Sequence, residues 1–301
     1  MQEMLPFSSI WNVLEEQETG LTRLVNQWLF ERSPHTRSAY MHDMQMFVQF
    51  VGTTSFETII RDQMIEFAMS LQGSPNSRKR TISSVKSFFS YLHAAGLIPV
   101  NVGAAVRVPK VQRNLNQRII DEYLVLKMID MEPDRRNHCL LRLLYSSGVR
   151  VSELCNLQWK DVEARPGGGQ INVLGKGEKL RSIPLSSGTW QELQLLREES
   201  AQAADYVFQS RTRYWKGEKR SGRLDRTMVL KIVREAARRV GIENWRKISP
   251  HWLRHCHASH ALDNGATLPE IRDTLGHSSI AITDIYQHIH PDKSSSHKLK
   301  V

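Results

Sequence analysis

The C-terminal part of the chain contains the sequence Ser249-Pro-His-Trp-Leu-Arg-His255. Pro250 is typical of the first position of a helix, because proline has no N–H to contribute and its φ angle already suits the helix. On such a helix His251 and Arg254 lie three residues apart and share one face. Since a helix N-terminus also favours anions, the stretch predicts a site for a negatively charged group. A capping or partly buried His251 fits the same spacing.

Four histidines on this helix invite a comparison with zinc sites, namely His251, His255, His257 and His260. Histidines four residues apart can chelate zinc. No carboxylate with ligand spacing accompanies them, however, and Cys256 points away from His255 on a helix. We therefore expect no metal, and we interpret His255 and His260 as core or supporting residues.

An arginine follows a turn in the stretch Ser147-Gly-Val-Arg-Val-Ser-Glu-Leu154. Arg150 comes directly after the glycine-containing turn and just before a predicted helix whose Glu153 could hold its side chain. A solvent-exposed surface arginine is the alternative interpretation.

A β-hairpin is predicted where two strand-like runs, 170–174 and 180–185, flank the glycine-rich segment Gly175-Lys-Gly-Glu-Lys179. Lys176 lies in its turn, where lysines are usually solvated. A magnesium-nucleotide P-loop is excluded, because Gly177 occupies the position at which a Ser or Thr must bind the metal.

The C-terminal part carries Leu275-Gly-His-Ser-Ser279 and then Thr283-Asp-Ile-Tyr-Gln-His288. Tyr286 differs from most other tyrosines of the chain because its neighbourhood is polar rather than part of an apolar stripe. A tyrosine that packs at a helix end is the alternative.

The 301 residues include 40% hydrophobic residues, enough for one large or two ordinary domains with true cores. Apolar runs are far shorter than the roughly 20 residues of a membrane helix, and an acidic N-terminus argues against a signal peptide. Three cysteines without paired spacing fit a reducing compartment. These features predict a soluble, cytoplasmic protein.

The net charge of +10 is unevenly distributed. Residues 1–107 contain nine basic and nine acidic side chains, whereas residues 108–301 contain 32 and 22 and hold the whole excess. A basic excess indicates a polyanionic partner, most often a nucleic acid, although many basic proteins bind none.

The hydrophobic periodicity predicts a mainly α-helical protein with a small antiparallel β-hairpin or sheet. Four short helices form an N-terminal domain over residues 1–107, ordered from about residue 20. Residues 108–120 are predicted to be an extended linker, and residues 121–301 an α+β second domain. Helices are expected over 121–131, 137–147, 151–159, 189–200, 225–240, 251–264, 268–275 and 280–286.

Taken together and in this order, the motifs resemble the tyrosine recombinase family, the phage-integrase and Xer group. The resemblance covers nearly the whole chain and is most specific from Ser249 to His288. It implies an N-terminal core-binding, SAM-like domain followed by a catalytic domain. It also assigns the residues that follow: Arg150 and Arg254 as catalytic arginines, Lys176 as the hairpin lysine, His251 and His277 as catalytic histidines, Tyr286 as nucleophile and Glu153 as support for the first arginine.

These residue types suit the cleavage of a phosphodiester. Two guanidinium groups can stabilise a charge-rich phosphorane without a metal, so no cofactor is expected. The resemblance implies a 3′-phosphotyrosyl intermediate, strand exchange through a Holliday junction, and a homo- or hetero-tetramer on double-stranded DNA with inverted repeats. A type IB topoisomerase-like activity and a catalytically silent DNA-binding protein are the alternatives.

The net charge of the first domain is zero, so this domain must bind DNA through local basic patches. We expect DNA contacts from Arg37 near the start of its second helix, and from Arg78, Lys79, Arg80 and Lys86 at the start of its fourth. A solvated basic helix end is the alternative. The sequence does not separate chromosome-resolving Xer proteins from phage or mobile-element integrases, or assign a role to the basic segment 215–223.

Overall fold

The computed structural model describes residues 21–52, 54–109, 118–175, 179–211, 214–215, 218–219 and 222–276. The chain divides into two compact units, Met1–Arg113 and Asn114–Val301, each with a hydrophobic core. The stretch 108–120, predicted as a linker, contributes to both cores at its ends. Val108 packs against the first core, and Ile120 is buried in the second because both side chains are apolar.

The described part of the first unit contains four α-helices and a short 3-10 helix. They are α1 (Leu21–Leu29), α2 (Pro34–Val51), α3 (Arg61–Ser70), α4 (Pro75–Ala94) and η1 (Val102–Ala105). Serine N-caps followed by proline start both α2 and α4. At the centre of the core, the Phe47 ring meets Phe67 and Phe89 edge-on, with centroids 4.9 and 5.7 Å away.

The described part of the second unit is built from helices around one main core, beside a smaller buried cluster of Ala258, Ile271 and Leu275. The helices are α5 (Glu122–Asp130), α6 (Arg135–Ser147), α7 (Val151–Asn156), η2 (Trp159–Asp161), α8 (Ser187–Gln194), α9 (Arg226–Arg239), η3 (Trp245–Lys247), α10 (Pro250–Asp263) and α11 (Leu268–Leu275). Helix α6 is central, because its leucines at 140, 141, 143 and 144 are fully buried.

A three-stranded antiparallel sheet packs beside these helices. Its order is β1 (Val162–Arg165), β2 (Gly168–Leu174) and β3 (Leu180–Leu185), and Leu174 pairs with Leu180 next to the predicted turn. The sheet packs closely against α8. A Cβ atom added to Gly169 would lie only 1.9 Å from the Trp190 ring. A second, two-residue pair joins β4 (Tyr214–Trp215) to β5 (Glu218–Lys219).

The predicted fold class, mainly α-helical with a small antiparallel sheet, is confirmed. Some details differ: β1, β4 and β5 were not predicted, and the helix expected over 151–159 ends at Asn156. It ends there because Trp159 N–H donates to the carbonyl of Asp205, and Val207 N–H to that of Leu157. The helix expected over 189–200 likewise stops at Gln194.

The helix predicted over 280–286 lies outside the described residues. Within the described ranges, no helix combines the length and apolar character needed to cross a bilayer.

Candidate active site

Arg150 lies in the tight connection between α6 and α7. Gly148 ends α6 in the left-handed conformation, with φ of 58°. A Cβ there would lie 2.6 Å from Leu275 and 2.8 Å from the ring of His257, so only glycine lets the chain pass so close to α10 and α11. Glu153, in the first turn of α7, accepts hydrogen bonds from the Arg150 backbone N–H at 2.7 Å and from its Nη1 at 2.8 Å. The start of α7 thus holds both the backbone and the side chain of Arg150.

Arg254 is buried and connects three segments of the second unit. Its Nη1 donates to the carbonyl of Gly148, and its Nη2 donates to the carbonyl of Leu275 at 2.6 Å. The side chain therefore joins α10 to the connection that carries Arg150 and to the end of α11. Both arginines predicted to bind phosphate are brought to the same part of the fold.

His251 lies in the first turn of α10, which begins at Pro250 as the sequence predicts and follows the N-cap residue Ser249. Partial burial of the imidazole lowers its pKa below the ordinary value of histidine, and the positive charges of Arg254, Arg150 and Arg118 lower it further. The lowered pKa favours the neutral form of the ring, which is the form able to accept a proton. The influence of Arg254 and Arg150 on its pKa places His251 within electrostatic reach of both.

Arg181 on β3 is a residue of this site that the sequence analysis missed. Its side chain is 11% exposed and donates to both carboxylate oxygens of Glu153, at 3.0 and 2.7 Å. Its Nε also donates to the carbonyl of Thr274 at 2.9 Å. A signal was present, because Arg181 shares the inward face of β3 with Ile183 and Leu185, where a charge needs a buried partner.

Three predicted site residues, Lys176, His277 and Tyr286, lie outside the described residues. The structure does describe the residues that directly precede Lys176 and His277 in the sequence. Gly175 N–H donates to the carbonyl of Lys179 at 2.9 Å and closes the hairpin, and Gly276 ends α11 in the left-handed conformation.

Two other histidines of α10, His257 and His260, form hydrogen bonds around Tyr145. The Nδ1–H of His257 donates to the Tyr145 carbonyl at 2.8 Å, and the Nδ1 of His260 lies 2.9 Å from the Tyr145 hydroxyl. That hydroxyl also donates to Glu122 at 2.9 Å. In the part of the chain that the structure describes, no group of three or more potential ligands is placed to hold a metal ion.

Three of the five basic residues predicted to contact DNA in the first unit have partners within the protein. Arg37 donates to the carbonyls of Arg32 and Phe30 after α1. Lys86 donates to the carbonyl of Val106, next to η1. Both cations therefore contact carbonyls of the first unit, and their contacts with DNA stay predictions.

Arg80 is the third of these residues, and its partner is a buried acid. Its Nη2 donates to Asp43 Oδ1 at 2.8 Å, and the same oxygen accepts from the Thr81 hydroxyl at 2.9 Å. Asp43 is fully buried, so Arg80 supplies its compensating charge. Arg78 and Lys79, by contrast, are exposed at the start of α4.

Comparison with known proteins is consistent with this architecture. The model of the phage integrase family matches residues 120–293, and that of the phage integrase N-terminal SAM-like domain matches residues 27–96. The chain is 32% identical over 268 residues to the tyrosine recombinase XerC of Xanthomonas campestris pv. campestris, covering 85% of this chain and 79% of the relative. The chain therefore belongs to the phage integrase family, as a Xer-like tyrosine recombinase.

Two solved structures share the fold at low sequence identity. A crystal structure of XerH site-specific recombinase bound to difH substrate, a pre-cleavage complex, is 19% identical with a TM-score of 0.64, covering 87% of this chain and 78% of that one. The Tn1549 transposon integrase in complex with transposon right end DNA is 15% identical with a TM-score of 0.69, covering 92% and 97%. The predictions of an enzyme of site-specific DNA recombination and of DNA as its partner are confirmed at this level.

Proposed function

We propose that the chain cuts and rejoins double-stranded DNA through a covalent 3′-phosphotyrosyl bond to Tyr286. The phenol oxygen attacks the scissile phosphorus while its proton passes to His251. The P–O5′ bond breaks as Lys176 protonates the departing oxygen. Arg150 and Arg254 bind the non-bridging oxygens, on which negative charge accumulates in the transition state. Because a tyrosine of pKa near 10 leaves more readily than a sugar hydroxyl, the step can reverse and reseal the DNA.

The observation that carries this proposal is the arrangement around Gly148. Arg254 donates to the Gly148 carbonyl, two residues before Arg150, and both arginines lower the pKa of His251. A neutral base beside two guanidinium groups is suited to take the proton of an attacking hydroxyl while the cations hold the phosphate. In the same scheme Glu153 supports Arg150, and His277 hydrogen-bonds the phosphate.

The assembly that we propose is a homo- or hetero-tetramer on inverted-repeat core sites, which exchanges strands in pairs through a Holliday junction. Residues 1–107 form the core-binding domain, 108–120 the linker and 121–301 the catalytic domain of a cytoplasmic protein. The XerH structure was determined with difH substrate bound and the Tn1549 integrase structure with transposon right end DNA, which supports DNA as the partner in this proposal. Exposed Arg78 and Lys79 are suited to contact the DNA backbone.

A nicked suicide oligonucleotide tests the role of Tyr286. Its core sequence is obtained by sequencing the DNA junctions that form when the chain is expressed beside its own genomic neighbourhood. We expect the full chain to become covalently attached to this DNA, and Tyr286→Phe to abolish attachment while binding is retained, because phenylalanine has no nucleophilic oxygen. Covalent complexes are measured by denaturing gel, and binding by a mobility shift.

The matched control is Tyr123→Phe, which removes a hydroxyl from an exposed tyrosine on α5. This variant should attach to DNA at the wild-type rate. Continued covalent capture by Tyr286→Phe would disprove the assignment of the nucleophile.

A further inference from the structure

We propose that Arg181 is a positioning residue for DNA cleavage, which holds Glu153, and through it Arg150, together with the end of α11. The inference deepens the proposed function and rests on it, because Arg150 is there the phosphate-binding arginine. Arg181 would act through these neighbours rather than by touching the DNA, since its guanidinium is directed at the protein's own acceptors.

The contacts of Glu153 show how Arg181 acts on Arg150. Oε1 accepts from the Nη1 atoms of both arginines, and Oε2 accepts from the Arg150 N–H and from Arg181 Nη2. Each carboxylate oxygen is thus shared between Arg150 and Arg181. This sharing fixes the carboxylate plane, and with it the direction of the Arg150 side chain.

The charges in this cluster favour the same role. Glu153 paired with Arg150 alone would neutralise the cation that must bind phosphate. With Arg181 added, the three side chains carry one net positive charge in a site where Glu153 is only 5% exposed. Arg181 thereby lets Glu153 orient Arg150 while the cluster remains attractive to an anion.

The third contact of Arg181 reaches the end of α11. Its Nε donates to the Thr274 carbonyl, and Arg254 donates to the next carbonyl, that of Leu275. These groups have no acceptor role inside the helix, because the last carbonyls of a helix lack intrahelical donors. The two arginines therefore seat the residues that directly precede His277. A Cβ on Gly276 would lie only 3.1 Å from the Arg181 side chain, which confirms how closely the segments pack.

The variant Arg181→Lys tests the inference, because lysine keeps the charge but loses the planar fork that reaches both oxygens and the Thr274 carbonyl. We expect single-turnover cleavage of the suicide oligonucleotide to slow by about 10- to 100-fold, since small displacements of positioned groups have effects of this size. The dissociation constant for the same DNA should change less than about threefold, because most contacts that fix affinity lie elsewhere.

The matched control is Arg239→Lys, at another arginine paired with a buried glutamate of the same unit. Arg239 Nη1 lies 2.9 Å from Oε2 of Glu132, whose side chain is 4% exposed. This control should lose comparable thermal stability but cleave DNA at the wild-type rate. Equal slowing of both variants, or wild-type cleavage by Arg181→Lys, would overturn the positioning role.

A pH profile separates positioning from a general loss of structure. Burial raises the pKa of Glu153, but hydrogen bonds from Arg181, and then from Arg150, hold it below the ordinary value of glutamate. Arg150 and Arg181 are the charged groups that face this carboxyl in the described structure. Weakening the Arg181 contact should raise that pKa, so the Glu153 carboxyl of DNA-free Arg181→Lys should become protonated at a higher pH than that of the wild type as the solution is acidified, as followed by the NMR signal of this carboxyl. An unchanged pKa of Glu153 in Arg181→Lys would argue against the proposal.

Hydrogen exchange of the DNA-free full chain provides a measurement that does not depend on cleavage. Arg181→Lys should speed amide exchange at the end of α11 and the start of α7, relative to Arg239→Lys. Unchanged exchange in both segments would overturn the inference. If wild-type protein fails to capture DNA while exchange changes as expected, the proposed function fails and the anchoring by Arg181 stands.

Discussion

His257 is a buried titratable group whose role is to support the site. Burial, together with the charges of Arg254 and His260, lowers its pKa to about 4, and the hydrogen bond to the Tyr145 carbonyl opposes this shift. The unfolded chain binds a proton near pH 6.5, whereas the folded protein does not. The contribution of this residue to the free energy of unfolding is therefore fully present above about pH 6.5. It falls by about 3 kcal/mol as the pH decreases towards 4.

His257→Gln should flatten this dependence, because glutamine can still donate to a carbonyl but does not titrate. Between pH 7 and pH 4.5 the variant should lose about 2–3 kcal/mol less of its free energy of unfolding than wild type does. Denaturant unfolding at the two pH values measures the difference. His93→Gln, at an exposed position of α4, is the control and should follow the wild type. Parallel curves for His257→Gln and wild type would show that another group causes the loss.

The turn between α6 and α7 is the element on which the site depends. Gly148 has a positive φ and touches Leu275 and His257, while Gly241 has a φ of 82° and open space around it. Gly241→Ala should therefore cost only the left-handed conformation, about 1–2 kcal/mol. Gly148→Ala should cost about 1–3 kcal/mol more, because the added methyl group overpacks the junction with α10 and α11.

Thermal unfolding of the two variants measures this difference. Gly148→Ala should also slow covalent capture of DNA, since Arg254 is anchored to the Gly148 carbonyl. Equal midpoints for the two alanine variants would mean that α10 and α11 accommodate the methyl group at position 148 without loss of stability.

Elements with local signals were predictable from the sequence. The start of α10 at Pro250, the α11 boundaries and the antiparallel pairing of β2 with β3 follow from proline, periodicity and a glycine-rich turn. Strand β1 is four residues long and exposed over three of them, so it carries no alternating pattern.

In the site too, pairs that are close in sequence were predictable and pairs that are distant in sequence were not. Glu153 lies three residues from Arg150, as Arg254 does from His251, so both pairs were visible in the sequence. Arg181 is 28 residues from Glu153, and its contact depends on how β3 packs beside α7. Arg80 is similar, because its partner Asp43 lies 37 residues away. Such partners cannot be paired from spacing alone.

Across the whole molecule, some basic residues of the first domain bind acceptors of the protein itself, whereas others are exposed to solvent. The first 107 residues carry no net charge, so the DNA binding proposed for this part of the chain depends on a few exposed cations. Arg37, Arg80 and Lys86 are engaged by acceptors of the protein itself. Arg78 and Lys79 extend from the start of α4 and are the better candidates for phosphate contacts.

The salt dependence of DNA affinity tests this division in the full chain. Each phosphate contact contributes about 0.9 to the slope of log K against log salt, so the double variant Arg78→Gln, Lys79→Gln should lower the slope by about 2. Arg61→Gln removes an exposed cation from α3 and should leave the slope unchanged. Fluorescence anisotropy of labelled core DNA over about 50–200 mM salt measures both.

Arg80→Gln should behave differently from both of these variants. It leaves the buried Asp43 carboxylate without its cation, and so it should lower the free energy of unfolding by about 1–3 kcal/mol. Its salt slope should stay near that of wild type, because the guanidinium is held by Asp43 rather than offered to a phosphate. An unchanged stability together with a smaller slope would instead assign Arg80 to the DNA and leave Arg78 and Lys79 as solvated charges.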